Sequence, residues 1–384
     1  MRRAPDFPLY DTAKSPASKR WLGMTSLLML ISAGGTVLFR QADSGGGGII
    51  AVMFITASIL GMLWLCRLVY YRFSIHYTLK WQALINHQHS LWWQEHQRTF
   101  ALKDVVLIGP AGSEHDDWIR LLKREQPVPA KRQDASGKAL RIARNFSDDV
   151  VIREQQLACS LVLQWKNQRK SPDVASPQRC YWLGTNNAWQ AFLAQAKIQL
   201  PEIVLPDIPE SWKGEESLSE IAALLHSDDN GNRFLVAGCH SEPLSADGIK
   251  PAGEAAVLWF AGSDGEALVS RGEFYDSDAP ESLAQVCERA QRQSGITGAP
   301  EAAILFSHSE LSELSELSEL TGSGWNITQH LQDEYWGELD IIEPLVVISL
   351  AVIHAQYLEK SCGWIATDPQ HTLTSGIVIP YGKG

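Results

Sequence analysis

Two long runs without a charged side chain stand near the start of the chain, and no other feature narrows the choice of fold as much. Residues 21–39 read WLGMTSLLMLISAGGTVLF and residues 49–66 read IIAVMFITASILGMLWLC. As helices rising 1.5 Å per residue, the two runs reach about 27 to 29 Å, close to the hydrocarbon thickness of a bilayer. Globular cores seldom need two such runs in tandem. A secretory leader followed by a buried helix fits less well, because no small-residue cleavage site precedes Arg40 and the second run follows closely. The runs therefore predict a transmembrane two-helix hairpin over residues 21–71, preceded by a tail of residues 1–20.

Charge orients that hairpin. Residues 1–80 hold nine Lys and Arg against three Asp and Glu, a net +6, while the other 304 residues hold 24 against 41, a net −17. The connection at 40–48, RQADSGGGG, carries one Arg and one Asp, whereas five basic residues precede Trp21 and Arg67, Arg72 and Lys80 follow the second run. The positive-inside bias puts both flanks in the cytoplasm and the glycine connection outside. The expected location is the cell inner membrane, multi-pass, with most of the chain cytoplasmic. An acidic body also argues against nucleic acid as a partner, since phosphate neutralisation needs clustered Lys and Arg.

Residues 72–100 form a juxtamembrane stem. Tyr70, Tyr71, Trp81, Trp92 and Trp93 resemble an interfacial aromatic belt continuing into a helix near the headgroups. His87, His89, Glu95 and His96 invite a metal, but no two of these histidines have the i, i+4 spacing that a helical metal pair needs. The six cysteines, Cys66, Cys159, Cys180, Cys239, Cys287 and Cys362, show no CxxC spacing, and no disulfide framework is expected.

Beyond residue 100, short apolar runs alternate with amphipathic segments, the mark of an α/β body. An N-terminal α/β subdomain is expected over 101–200 and a C-terminal one over 201–384, the boundary marked by Pro201, Pro206 and Pro209. Strands are predicted at 104–109, 180–183, 234–238, 255–261, 302–306, 364–367 and 375–380. Helices are predicted around 118–123, 158–165, 188–197, 218–225, 282–293 and 345–358, the last too short and interrupted to be a third span. Ser263-Asp264-Gly265 between two apolar runs predicts a hairpin pairing 255–261 with 267–271. The Ser-Glu-Leu repeat at 309–320 has a period of three, which drifts around a 3.6-residue helix and gives no heptad seam; it reads as a charged surface insertion.

Little in the body reads as chemistry. The loop after residue 109, GPAGS, lacks the second half and the Lys of a phosphate-binding loop. Cys239 and His240 follow a buried strand, but neighbours on an extended segment point apart and no nucleophile elbow surrounds them. His308 also follows a strand, without a readable partner. No catalytic, cofactor-binding or metal-ligating residue is assigned, and no cofactor or small-molecule substrate.

Residues 234–260, FLVAGCHSEPLSADGIKPAGEAAVLWF, resemble the second half of the β-ketoacyl synthase, or thiolase-like, fold, where a buried strand ends at a polar loop and a Gly-Glu-Ala-Ala turn starts the next strand. Here that turn is Gly253-Glu254-Ala255-Ala256, and the helix, strand and apolar helix that follow keep the same order, so the resemblance covers residues 180–380. The active-site cysteine elbow and catalytic histidine pair of those enzymes are not found. With its two-span anchor and catalytically bare acidic body, the layout resembles the type VI lipase adapter family. That resemblance implies a non-enzymatic, membrane-tethered adapter that binds a lipase effector in the cytoplasm for loading onto the secretion spike. Two alternatives remain: a divergent membrane-bound acyltransferase or condensing enzyme using Cys239 or another thiol, and a structural subunit packing through Ser32, Ala33, Gly34 and Gly35.

Overall fold

The structure is a computed structural model describing residues 6–38, 47–134, 137–145, 147–169, 176–227, 232–244, 250–307, 320–322, 324–326 and 332–382. Most of the glycine connection at 40–48, His308 and nearly all of the Ser-Glu-Leu repeat lie outside these residues. The chain divides into two compact units, Met1–Glu95 and His96–Gly384.

The first unit is built on α1 (Ser18–Leu38) and α2 (Gly47–His96). The sequence reading continued the aromatic belt into a helix near the headgroups, and α2 runs through residues 67–96 as one unbroken helix of 50 residues, about 75 Å long. The reason is local: no Pro or Gly interrupts residues 67–96, so nothing ends the helix where the apolar run ends. Leu22, Leu27, Leu30 and Ile31 on α1 and Ile50, Phe54, Ile55, Ile59, Met62 and Leu63 on α2 all expose their side chains.

The segment before α1 runs back along the stem. Ala13 N donates to Ser74 Oγ at 2.9 Å, Arg67 Nη2 to the Lys14 carbonyl at 2.9 Å and Trp81 Nε1 to the Pro8 carbonyl at 3.0 Å. Phe7 meets Trp81 edge-on at 6.3 Å. These contacts place residues 7–14 beside residues 67–81, so the two flanks of the hairpin lie together. Trp21, Leu22, Thr25, Ala57, Leu60, Gly61 and Trp64 line an apolar groove of about 350 Å³ between the helices.

In the second unit, ten strands form one sheet among the described residues: β1 (Thr99–Ile108), β4 (Arg179–Leu183), β5 (Glu210–Ser211), β6 (Phe234–Ser241), β7 (Glu254–Gly262), β8 (Ala267–Ser270), β9 (Glu273–Tyr275), β10 (Ala302–Ile304), β11 (Cys362–Thr367) and β12 (Leu373–Pro380). The order is β10-β11-β12-β8-β1-β7-β6-β4-β5, with β9 on β12. A small hairpin, β2 (Arg132–Asp134) with β3 (Gly137–Ala139), stands apart.

The hairpin expected between 255–261 and 267–271 does not form. β1 lies between those strands, pairing Leu102 with Ala261 on one side and with Ala267 on the other. Four residues separate β7 from β8, enough to step over a strand. Gly265 makes the crossing possible, since a Cβ there would stand 2.4 Å from the Leu102 carbonyl oxygen. The sheet also runs on through the proline-marked boundary at 200, because β5, just beyond it, pairs parallel with β4.

Helices cover both faces, which explains why the strands read as continuous apolar runs rather than alternating ones. Along β7, Ala255, Val257, Trp259 and Ala261 face a core that includes α8 (Glu343–Leu358). Ala256, Leu258 and Phe260 face α4 (Val150–Gln168) and α5 (Asn186–Gln199). α3 (His115–Leu122) and α6 (Glu215–Ser227) join α8, and α7 (Leu283–Ser294) covers the far end on the other face. The helical stretch Asp340–Leu358 is long and apolar enough to cross a membrane, contrary to the sequence reading that it is too short, but it is mostly buried in this core, as expected of a buried helix. Ser349 of α8 ties the layers together: its Oγ accepts from Trp259 Nε1 at 2.7 Å and donates to the Leu345 carbonyl at 2.7 Å.

Candidate functional site

The parallel strands β4 and β6 end side by side, Leu183 opposite Gly238. In open α/β sheets this carboxyl end is where ligands bind. Two helix starts converge on it. Asp149 caps α4 by accepting from Val151 N at 2.8 Å, which sets Arg153 and Glu154 in the helix's opening turns. Thr185 caps α5 through Ala188 N.

One half of the site is a buried charge strut. Glu254, which opens β7, accepts from Arg153 Nη2 at 2.5 Å and Nε at 3.0 Å, from Ser241 Oγ at 3.2 Å, and from the Ile142 amide. Arg141 lies 3.7 Å from the same carboxylate and also donates to Ser241 Oγ and to the Glu242 carbonyl. The strut joins α4, the 141–142 segment, β6 and β7, and a buried pair with its lone pairs satisfied in this way fixes geometry.

The other half is a relay of carboxylates around one imidazole. His240 Nδ1 stands 3.2 Å from Glu154 Oε1 and Nε2 stands 3.0 Å from Glu242 Oε2. Thr185 Oγ1 donates to the second Glu154 oxygen at 2.8 Å. Burial works to lower the His240 pKa, but its two carboxylate partners prevail and raise it. Burial likewise works to raise Glu154, and the bonds from His240 and Thr185 hold it below the ordinary carboxylate value. Asp340, at the start of the 3-10 turn Asp340–Ile342 that leads into α8, completes a trio: the ligand atoms of His240, Glu242 and Asp340 all lie within 4.8 Å of one another.

Sequence reasoning assigned none of these residues. Glu154, His240 and Asp340 are far apart in the chain, and folding alone brings them together. The local trace was His240-Ser241-Glu242 at a strand end, two polar residues with period two. The stem histidines do not form a trio: among the described residues, the three-ligand group is the one at His240.

Cys239 is fully buried, with its thiol 3.4 Å from the Glu154 carbonyl. Burial pushes its pKa well above the ordinary thiol value, and nearby Glu154 adds to the shift. Burial pushes Cys180 and Cys287 up to about 12, and Cys159 and Cys362 also upward. No described thiol of the body is poised as a nucleophile.

No family model matches the sequence, and no curated protein matches it. Solved structures do match its fold. The ishigamide ketosynthase/chain length factor aligns with a TM-score of 0.51 at 13% identity, covering 74% of this chain and 100% of that one. ChlB3, described as an acyltransferase, aligns at 0.48 with 14% identity over 74% and 98% of the two chains, and the HMG-CoA synthase PksG from Bacillus subtilus at 0.42 with 10% identity over 74% and 80%. The body thus has the thiolase-like, ketosynthase-like fold. Identity this low carries the fold and not the activity.

Proposed function

We propose that the chain is a non-enzymatic, membrane-tethered adapter. Its apolar hairpin crosses the inner membrane twice, and its ketosynthase-like body binds a cytoplasmic protein, a type VI secretion lipase effector, for loading onto the secretion spike. The anchor confines the body to the membrane face and raises its effective concentration for a partner arriving there.

The observation that carries this reading is a condensing-enzyme fold in which Cys180, Cys239, Cys287 and Cys362 are buried in the core, while the half-buried Cys159 has its pKa raised by burial. Cys239, the thiol at the ligand-binding end of the sheet, bonds a main-chain carbonyl while its neighbour His240 is held between two carboxylates. The hairpin is supported by the exposed apolar side chains of α1 and α2 and by the tail of residues 7–14 lying along the stem, which keeps both flanks on one side. The fold itself favours the second reading, a divergent acyltransferase.

One sample separates the two. The full chain in nanodiscs is titrated with a purified type VI lipase effector, and acyl transfer from an acyl-thioester is measured alongside. The adapter reading expects saturable binding, no turnover, and unchanged binding for Cys239→Ala. Turnover lost in Cys239→Ala, or absence of binding, overturns it.

A further inference from the structure

We infer that His240, Glu242 and Asp340 form a binding site for a divalent transition-metal ion, with Glu154 orienting the histidine from behind. This goes beyond the adapter reading and does not depend on it.

Three observations carry the inference. The first is donor geometry: one imidazole nitrogen and two carboxylate oxygens, from β6, the residue after it and the turn before α8, converge within 4.8 Å of one another. One nitrogen and two oxygens suit ions such as Zn²⁺ and Mn²⁺.

The second is support behind the donor. Metal-binding histidines generally give their far N–H to a carboxylate, which fixes the ring. Glu154 takes Nδ1–H here and is itself held by Thr185 Oγ1, leaving Nε2 directed at Glu242. That arrangement exceeds what a surface ion pair requires.

The third is charge. Arg141 and Arg153 pair with Glu254, whereas among the described residues Glu154 and Glu242 meet only His240 in ion-pair contact and the Asp340 carboxylate lies within 4.8 Å of the same group, so carboxylates outnumber the cations placed against them. A dication at His240 Nε2 offsets that negative excess. The site lies at the carboxyl end of β4 and β6, and Asp340 is exposed, which gives an ion access from solvent.

The test uses the full chain in detergent, stripped with a chelator and titrated with ZnCl₂ and MnCl₂ separately by calorimetry. One saturable site is expected. Asp340→Asn and His240→Ala should each weaken it about 100-fold or more, and Glu154→Gln, which removes no ligand, by about 10- to 100-fold. Co²⁺ absorption in the visible should appear with the native chain and vanish in His240→Ala. Asp340 is exposed, so Asp340→Asn stays informative even where the His240 variant fails to fold. No saturable binding by the native chain, or native affinity in Asp340→Asn and Glu242→Gln, overturns the site. Because the probe is the metal alone, either result is independent of effector binding.

Discussion

Replacing Glu254 with Gln keeps the side chain's volume and removes the one negative charge on which two arginines converge. The Glu254 side chain is 0% exposed, Arg153 6% and Arg141 5%. Breaking a buried pair by neutralising one member costs about 3 to 5 kcal/mol, since the other charge is left uncompensated. The upper half of that range is expected here: the new amide NH₂ faces the Arg153 donors, which want an acceptor. Against a total stability of about 5 to 15 kcal/mol, the loss is large. Urea unfolding of the full chain in detergent, followed by tryptophan fluorescence, measures it as a shift in midpoint at constant slope. The paired replacement Arg153→Met with Glu254→Met should cost less than the sum of its singles, with a coupling of about 2 to 3 kcal/mol. A cost under about 1 kcal/mol for Glu254→Gln, the worth of an exposed pair, would refute the strut.

Other expectations concern the core and its pH dependence. Ser349→Ala removes the acceptor of Trp259 Nε1 and should cost about 1 to 3 kcal/mol in the same unfolding assay. Gly265→Val drives a side chain into the Leu102 carbonyl where the chain steps over β1, so a markedly lower midpoint is expected, with Gly298→Val, which has open space, as the unaffected control. Native chain treated with iodoacetamide at pH 8 should leave Cys180, Cys239, Cys287 and Cys362 unmodified in peptide mass spectra until urea is added. Burial works to raise the Asp333 pKa, but Lys250 at 2.7 Å and the Ser307 bonds hold it below the ordinary 3.8. A depressed carboxylate stabilises above its unfolded pKa and stops doing so as pH falls through its folded one. Asp333→Asn should therefore be less stable than native chain at pH 7, the gap closing as pH drops below 3.8.

The strands that form the body's core were legible because burial on both faces leaves unbroken apolar runs, as in residues 234–238 and 255–261. Helix α7, predicted over 282–293, forms at Leu283–Ser294, and its start is held by a cap in which Ser282 and Gln285 each bond the other's main-chain N–H. The strand order was not legible. Asp-Gly reports that the chain turns, and not which strand it lands beside, so the insertion of β1 between β7 and β8 left no local trace. In the stem, the aromatic residues mark an interface but no helix end, and with no Pro or Gly in residues 67–96 the helix runs on unbroken. The candidate site was least legible of all. Glu154 lies before the helix read at 158–165, in the opening turns of the longer α4, and Asp340 sits in a turn beside Ile341 and Ile342. Their convergence on His240 is a product of tertiary packing.

The proposed function places an acidic, ketosynthase-like body at the inner face of the membrane, held there by the hairpin. Single-cysteine labelling with a membrane-impermeant maleimide tests this most directly, using Ser44→Cys in the glycine connection and Arg132→Cys on the exposed face of the body. Position 44 should label in spheroplasts, where the outer face of the inner membrane is accessible, and position 132 only after that membrane is opened. Labelling at 132 before the membrane is opened, or recovery of the chain in the soluble fraction, would contradict the account.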